Sequence, residues 1–552
     1  MSTNIRAALA TDPTVGAGNV LSSLIRHGAD LDGPGITFDT QVDGFVPWHP
    51  MTLGELLDRV KARAAWLSGQ GVKPRDPVVV YSASSADVLL SFLALTWLGA
   101  IPALLNGGIT ADIAEIWIGR VRAGAVLSDA AHREMLAGTG LSTPVWPIEE
   151  AGTADASGAP AAYRHDGGDP ISITHSSGTT GVPKPIVHSS DSLFAATRRL
   201  RLSVPRAQGT ERVLSALPAA HTAAILTVNQ CLGNRSELAF LSSQQGEHVL
   251  EAIERWRPTG VFGFSVTWAQ LARFDLGKRD MDSVAIWFNT GDAAHEAHIR
   301  RLVAVGSHKT ATRDGVITVA GSTFVDGLGS SEMGHSAFHI SHRRDTDRYH
   351  RCIGTPHLFA DVAVLNLDGT PTPDGEVGYL GLKSPTLMLG YWNDSVTTYR
   401  SYLAGYYITG DLVYKDADGY YFHMDRAVDA VDLGNGRWLY TALSEERILA
   451  ACPDISDCTV IAVRQDDLVV TDVIVLLTED AVAEDLTREE RVRAALGADV
   501  AATVRNVIPL EGADVPIGAT GKVRKVALRR RYGVEQVAGP ITGTVTTATR
   551  AA

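Results

Sequence analysis

The chain has 552 residues, 45% of them hydrophobic and 20% charged, which describes a soluble globular protein too long for one compact core and predicts two or more domains. Its net charge of −13 argues against a nucleic-acid surface, although local basic patches can still hold ATP or coenzyme A. No uninterrupted apolar run reaches ~20 residues, no basic-then-apolar start marks a secretory signal, and Cys231, Cys352, Cys452 and Cys458 form no CxxC pair, so a cytoplasmic protein with reduced thiols and no membrane span is expected.

Residues 1–50 are loosely patterned apart from a short helix over 21–25. Thr52 then stands where a capping residue belongs, and the apolar spacing after it predicts a helix to about Leu67, ended by Gly69 and Gly71. A strand over 76–81, a helix over 86–98 stopped by Gly99, and a strand over 101–105 follow. Ser91, Thr96, Gly99 and Pro102 interrupt the apolar stretch here, which reads as a buried helix followed by a strand. Alternating β and α elements imply a parallel sheet with helices on its faces. Residues 151–170, rich in Ala, Gly, Asp and Pro, read as a surface connection.

That connection leads into Ile171–Thr174, the end of a strand, and then into Thr174-His-Ser-Ser-Gly-Thr-Thr-Gly-Val-Pro-Lys184. Gly178 and Gly181 let backbone N–H groups turn inward around an anion. Ser176, Ser177, Thr179 and Thr180 add hydroxyl donors, and Lys184 adds a positive charge. The stretch is a donor-rich loop suited to a polyphosphate; the bland alternative is an exposed Ser/Thr/Gly turn. The order of glycines and lysine differs from that of a P-loop. The loop resembles the phosphate-binding signature of the adenylate-forming superfamily, which includes acyl-CoA synthetases, peptide-synthetase adenylation domains and luciferases. The resemblance recurs in order along nearly the whole chain, and Leu98-Gly-Ala-Ile-Pro102 already belongs to it.

Asp191–Leu202 reads as a helix with a solvated, Arg-rich end at Arg198, Arg199 and Arg201. A strand over 213–217 leads to Pro218-Ala-Ala-His221, and the resemblance places His221 at the mouth of an acyl pocket. Relatives that activate amino acids carry an Asp on the next helix; Thr222–Asn229 contains no acid, which disfavours an α-amino acid. Ala285–Ala294 resembles the loop that packs on adenine, with Gly291 allowing close approach and Asp292 either joining it or capping the next helix. Val325-Asp326-Gly327-Leu328-Gly329-Ser330-Ser331-Glu332-Met333 resembles the family's Asn-x-Tyr-Gly-x-Thr-Glu signature. By position Asp326 stands for the adenine-side Asn, Leu328 for the aromatic and Ser331 for the Thr, while Glu332, with Thr180, is the implied holder of Mg²⁺. His339, His342, His350 and His357, interleaved with Arg343, Arg344, Arg348 and Arg351, read as an exposed basic loop.

Gly375–Asn393 resembles the family's small β subdomain, and Asp411 in Tyr407-Ile-Thr-Gly-Asp-Leu matches the carboxylate that holds the ribose hydroxyls. Arg426 matches the nucleotide-contacting arginine at the domain hinge. Asp425 stands where the family has Gly, and Val428 where it has Asp or Lys, which puts thioester geometry in question rather than adenylation. A helix over 443–451 carries Glu445 and Glu446; strands over 460–463 and 469–477 and a helix over 486–496 complete a small domain. Lys522, in Gly521-Lys522-Val-Arg524-Lys525, matches the lysine that enters the active site for adenylation.

The implied fold is α/β: a large N-terminal domain of mixed α/β sheets plus a β subdomain over 1–425, a hinge, and a small mobile α+β domain over 426–535, with a disordered tail over 536–552. The implied activity is attack of a carboxylate on the α-phosphate of ATP to give an acyl-AMP, then transfer to coenzyme A after the small domain rotates. Lys522 would bridge carboxylate and α-phosphate. Small residues at Ala219, Ala220, Ala223, Ala224, Gly291, Gly329 and Gly334 suggest a roomy apolar pocket for a bulky acid, contacted by His221, Gly291, Gly329 and Met333. Two alternatives stand beside this one: a ligase that loads a carrier protein in trans, and a nucleotide-binding protein without turnover. The oligomeric state is open, a homodimer being one candidate.

Overall fold

The computed structural model describes residues 4–176, 182–204, 211–313, 315–465, 468–478, 481–482, 485–510, 516 and 525–531. They fall into two units: residues 1–263, 329–336 and 385–399, and residues 264–328, 337–384 and 400–552. The architecture is the mixed α/β one expected, and no described helix is long and apolar enough to cross a membrane.

In the first unit Thr52 opens the helix Leu53–Gly69 with a complete capping box: its hydroxyl accepts from Glu55 N–H, and the Glu55 carboxylate accepts from Thr52 N–H. Ser84 caps the helix Ser85–Trp97 through Asp87 N–H, and this helix is buried over Ser85–Ala86 and Val88–Thr96. It is therefore a core helix, as its interrupted apolar run suggested. It lies between the parallel strands Pro77–Ser82 and Ile101–Asn106 in sequence. The sheet around them runs in the order Gly390–Tyr391, Pro185–Ser189, Pro170–His175, Ile101–Asn106, Pro77–Ser82, Ala125–Ser128, Val145–Pro147. Pro170–His175 and Pro185–Ser189, which flank the Ser/Thr/Gly-rich stretch, pair antiparallel, and Gly390–Tyr391 closes that edge antiparallel to Ile186 and Val187. A second set of strands, Gly260–Phe264, Arg212–Ser215, Glu237–Phe240 and Pro34–Phe38, is parallel, with Pro50–Thr52 antiparallel at its end.

The second unit begins with the parallel pair Ile286–Thr290 and Thr323–Asp326. An antiparallel run follows: Phe338–His342, Cys352–Pro356, Tyr421–Arg426, Tyr406–Lys415, Gly378–Lys383 and Asp361–Leu365. Further along, Ile455–Gln465, Leu468–Leu477 and Val504–Pro509 form a three-stranded sheet. Ile448 and Leu449 of the helix Thr441–Ala451 pack against Val460, Val473, Val475 and Val492. Each such buried aliphatic side chain stabilises the fold by roughly 1.5–3 kcal/mol before conformational entropy is counted.

Two surface expectations are overturned. Arg198 is not a solvated helix end, because its guanidinium donates to the carbonyls of Leu9, Ala10 and Asp12 where the helix Ile5–Thr11 terminates. The His/Arg stretch is not uniformly exposed either: His342 is 1% and Arg351 6% exposed. Glu445 and Glu446 are likewise buried. The four cysteines are free and buried.

Candidate active site

In the first unit the ends of the phosphate loop are clamped to each other. Ser176 N–H donates to the Lys184 carbonyl at 3.0 Å, and Lys184 N–H donates to Ser176 Oγ at 3.0 Å. Ser177, Gly178, Thr179, Thr180 and Gly181 lie outside the described residues. The clamp sets the exit of the loop, where Lys184 is exposed. Its Nζ lies 4.5 Å from the centre of the Tyr391 ring and 3.5 Å from Tyr391 Oη. Tyr391 Oη donates in turn to Glu332 Oε1 at 3.2 Å.

The Gly329–Met333 stretch is held from below. Buried His188 donates from Nε2 to the Ser331 carbonyl at 2.7 Å, with Ser192 Oγ 3.2 Å from Nδ1. Burial pushes the His188 pKa down to about 4 against the smaller opposing effect of that hydrogen bond, so the ring is neutral at pH 7. Gly334 follows at φ +69°, where an added Cβ would fall 2.1 Å from the Thr386 carbonyl oxygen. Met333 is fully buried, and Gly329 packs beside the Ser336 backbone. His221 stands at the N-cap of the helix Thr222–Asn234, its Nδ1 accepting from Ala223 N–H at 3.1 Å. That bond leaves the proton on Nε2, which lies 3.3 Å from Ser331 Oγ. Ser331, occupied as an acceptor, has its O–H free to turn toward an oxyanion.

Glu332 is half-buried and, among the described residues, is paired with no cation. No group of three or more His, Cys, Asp or Glu side chains among the described residues could hold a metal alone. A single available carboxylate fits Mg²⁺, which takes one or two protein carboxylates and completes its shell with water and substrate phosphates.

In the second unit Asp326 faces inward. Its Oδ1 accepts from Asn289 Nδ2 at 2.6 Å and Gly327 N–H at 2.8 Å, and its Oδ2 from Ala294 N–H at 3.1 Å. Burial pushes its carboxyl up to about 6 despite these bonds. The carboxylate at the family's Asn position therefore holds the 291–294 turn from inside. Gly291 is buried in that turn beside Phe264, and Leu328 is buried as well. The next helix, Glu296–Val303, takes His295 as its N-cap, so Asp292 does not cap it.

Asp411 and Arg426 face each other in register on paired strands, with Arg426 Nη1 3.2 Å and His423 Nε2 3.4 Å from Asp411 Oδ1. Burial opposes ionisation of Asp411, but Arg426 and His423 outweigh it and bring its pKa to about 2. A carboxylate fixed in its charged form suits the acceptor role toward two ribose hydroxyls. Gly410, at φ +83°, leaves room that a Cβ would take up 3.2 Å from Arg426 Nη2.

Lys522 lies outside the described residues. Lys525, in the same segment, is half-buried in a polar network. Its Nζ is 2.8 Å from Thr441 Oγ1 and 3.0 Å from Glu445 Oε1, and Thr441 donates to Asp425 from both its backbone N–H and its hydroxyl. Burial opposes the Lys525 charge, but Glu445, Asp429 and Asp425 hold its pKa above the usual lysine value. Asp425 is itself raised by burial, with Lys525 pulling it back. The departure from glycine at 425 is thus the anchor of a buried network. Lys525→Met leaves two buried carboxylates uncompensated and is expected to cost about 3 kcal/mol or more, read as a fall in the urea midpoint with little change in slope.

Tyr391, His188, Thr441 and Lys525 were not singled out by sequence reasoning. Tyr391 sits inside the recognised Gly390–Asn393 stretch; nothing local marks the other three, whose partners lie far away in sequence.

Residues 39–392 match the family described as AMP-binding enzyme. A Streptomyces protein named 3-aminoavenalumate diazotase is 45% identical over 562 residues, covering 96% of this chain and 98% of the relative. The anthranilate–CoA ligase of Pseudomonas aeruginosa is 26% identical over 440 residues, covering 74% of this chain and 78% of the relative. Among solved structures, the anthranilate CoA ligase AuaEII in complex with anthranoyl-AMP superposes with a TM-score of 0.80 at 19% identity, covering 95% of this chain and 98% of that one.

Proposed function

The chain belongs to the AMP-binding enzyme family, and from that membership we propose that it is an ATP-dependent diazotase, converting an amino group on an aromatic acid into a diazonium group. The observation that carries this reading is the 45% identity, over nearly the full length of both chains, to a protein named as a diazotase. The sequence alone pointed to a carboxylic acid as the group adenylated; in the reading proposed here nitrite takes that place as the oxyanion that attacks ATP.

The chemistry needs only a change of oxyanion at an adenylating site. Forming an N–N bond from an amine requires nitrogen at the oxidation level of nitrite, and nitrite, like a carboxylate, has too poor a leaving group to react unaided. A nitrite oxygen attacks the α-phosphorus of ATP, the bond to pyrophosphate breaks, and a nitrosyl–AMP mixed anhydride forms. The amine lone pair then attacks the nitroso nitrogen, and AMP leaves with the N–O electron pair. The N-nitrosoamine loses a proton, tautomerises to the diazohydroxide, and releases water on protonation to give the diazonium ion. The sum is amine, nitrite and ATP going to diazonium, AMP, pyrophosphate and water, the only net proton being the one that the released pyrophosphate takes up at neutral pH.

The residues take corresponding roles. Lys184 and the loop before it bind the β- and γ-phosphates, Glu332 and Thr180 hold Mg²⁺, whose charge offsets that of the phosphates, and Asp411 fixes the ribose. Ser331, oriented by His221, donates toward the oxyanion or α-phosphate, and Lys522 neutralises the charge that builds there. The small domain is proposed to begin at Arg426. A diazotase has no pantetheine thiol to admit, which fits the anchoring of Asp425 at the position of the family's hinge glycine.

A second reading, an AMP-forming CoA ligase acting on an aryl acid, is favoured by the 26% identity to the anthranilate–CoA ligase. One assay separates the two. The protein is incubated with ATP, Mg²⁺ and a panel of amino-substituted benzoic and cinnamic acids, with ¹⁵N-nitrite in one arm and coenzyme A in the other. Nitrite-dependent AMP release with a ¹⁵N-labelled azo dye after trapping with a naphthol is the expected result. A thioester in the coenzyme A arm, with AMP release indifferent to nitrite, would overturn the diazotase reading.

A further inference from the structure

We propose that Tyr391 is a positioning residue that keeps Lys184 and Glu332 apart, so that the ammonium stays available to phosphate and the carboxylate to the metal. The proposal rests on the reading of these two residues as part of the Mg·ATP site. Lys184 and Glu332 carry opposite charges on neighbouring stretches of one unit, yet they form no ion pair. Tyr391 stands between them. Its ring takes the ammonium at 4.5 Å from the centre, its oxygen lies 3.5 Å from Nζ, and its O–H is donated to Glu332 Oε1 at 3.2 Å. The ring face satisfies a cation without neutralising it, and one hydroxyl hydrogen bond orients a carboxylate without occupying its remaining lone pairs.

The backbone fixes this spacing. Tyr391 pairs with Ile186 and Gly390 with Val187, just after Lys184. Trp392 N–H donates to the Pro185 carbonyl at 2.8 Å, and Tyr391 N–H to Thr398 Oγ1 at 2.9 Å. On the other side Met388 N–H donates to the Glu332 carbonyl at 2.9 Å. Tyr391 is 7% exposed. The tyrosine is therefore held relative to both charged residues by their own main chains, and it cannot swing away to let them meet. Were the ring absent, the flexible Lys184 side chain could reach the carboxylate, and each group would be spent on the other.

The test is Mg·ATP binding by calorimetry, a readout independent of any acid or amine substrate, with Mn²⁺ binding in the presence of ATP followed by electron paramagnetic resonance. Y391F keeps the ring and loses the hydroxyl; it is expected to raise the Mn²⁺ dissociation constant several-fold and leave ATP affinity near that of wild type. Y391L removes the spacer; it is expected to weaken both Mg·ATP and metal-free ATP binding at least tenfold, and the metal-free ATP affinity, which does not call on Glu332 as a metal holder, is expected to be largely restored in Y391L carrying Glu332→Gln, where no ion pair can form. Both single variants binding as wild type overturn the proposal. So does Y391L whose loss of metal-free ATP affinity is unchanged by Glu332→Gln while Y391F matches wild type. Wild-type protein that binds no Mg·ATP would overturn the site reading and the spacer with it.

Discussion

Lys522→Ala is expected to lower ATP-dependent pyrophosphate release by at least about 10²–10³-fold, the effect of removing one preorganised charge from a transition state, while leaving the urea midpoint unchanged. Attack on the α-phosphorus crowds the anionic nucleophile, the phosphoryl oxygens and the departing pyrophosphate together, so catalysis is mainly the supply of fixed positive charge. Lys184 and Mg²⁺ serve the outer phosphates. Lys522 is the residue assigned to the reacting centre itself, on family resemblance. Its neighbour Lys525 supplies an internal control, because it sits in the same segment but is spent on Glu445 and Thr441. The two substitutions should therefore separate: Lys522→Ala loses chemistry and keeps stability, whereas Lys525→Met loses stability first. Unchanged pyrophosphate release in the Lys522→Ala protein would sink its catalytic assignment, whichever acceptor the enzyme uses.

The candidates for the nucleotide half of the site stand out in the sequence because their requirements are local. Glycines with hydroxyls and a lysine after a strand, a Glu after Gly-Ser-Ser, and a Gly-Asp in a strand each place one chemical group in one turn of chain. The capping box at Thr52 and the buried helix Ser85–Trp97 were legible for the same reason. What escaped depends on residues far apart in sequence. His188 reaches Ser331, and Lys525 reaches Thr441 and Glu445, across separations that no periodicity encodes. Glu445 and Glu446 look like the polar face of a surface helix until His295, the Glu296 backbone, the Val460 backbone and Lys525 are seen to satisfy them. The motifs describe how ATP is held and do not say which oxyanion is adenylated, because nitrite and a carboxylate would each present an oxyanion to the same α-phosphate. Asp425 was visible as a departure; only its burial against Thr441 says what the departure does.

Acid should unfold this protein earlier than its carboxylates alone would require. Burial lowers the pKa of His188 to about 4 and, aided by Arg300, that of His342 to about 4 as well. Each unfolded histidine titrates near 6.5. Between those values the unfolded chain binds a proton that the folded chain refuses, so stability rises with pH across the window and levels off above it. Each site then contributes on the order of 3 kcal/mol that is present at pH 7 and progressively lost as pH falls toward 4. Asp411 works in a lower window: its folded pKa of about 2 lies below the ordinary aspartate value near 4, so its contribution is intact above pH 4 and fades only below it. Urea unfolding at pH 7, 5.5 and 4.5 should show the midpoint falling through a range where Asp411 stays ionised, although Asp326, whose folded carboxyl takes up its proton near pH 6 and the unfolded one only near 4, offsets part of the loss. The two histidines have different consequences within that loss. His342 has no hydrogen-bond partner on either ring nitrogen among the described residues and stacks on Tyr349 at 4.8 Å, so its protonation strands a charge beside Arg300 with only the field of Glu446 to offset it. His188 holds the Ser331 carbonyl, one residue before Glu332. A second proton on its Nδ1 makes Ser192 Oγ an acceptor instead of a donor and puts a buried charge directly beneath the motif that carries Ser331 and Glu332. Mg·ATP affinity should accordingly decline in the same pH interval as the urea midpoint in wild type. A midpoint flat from pH 7 to 4.5 would mean that both histidines find water when charged, and the coupling between acid and nucleotide binding would fall with it.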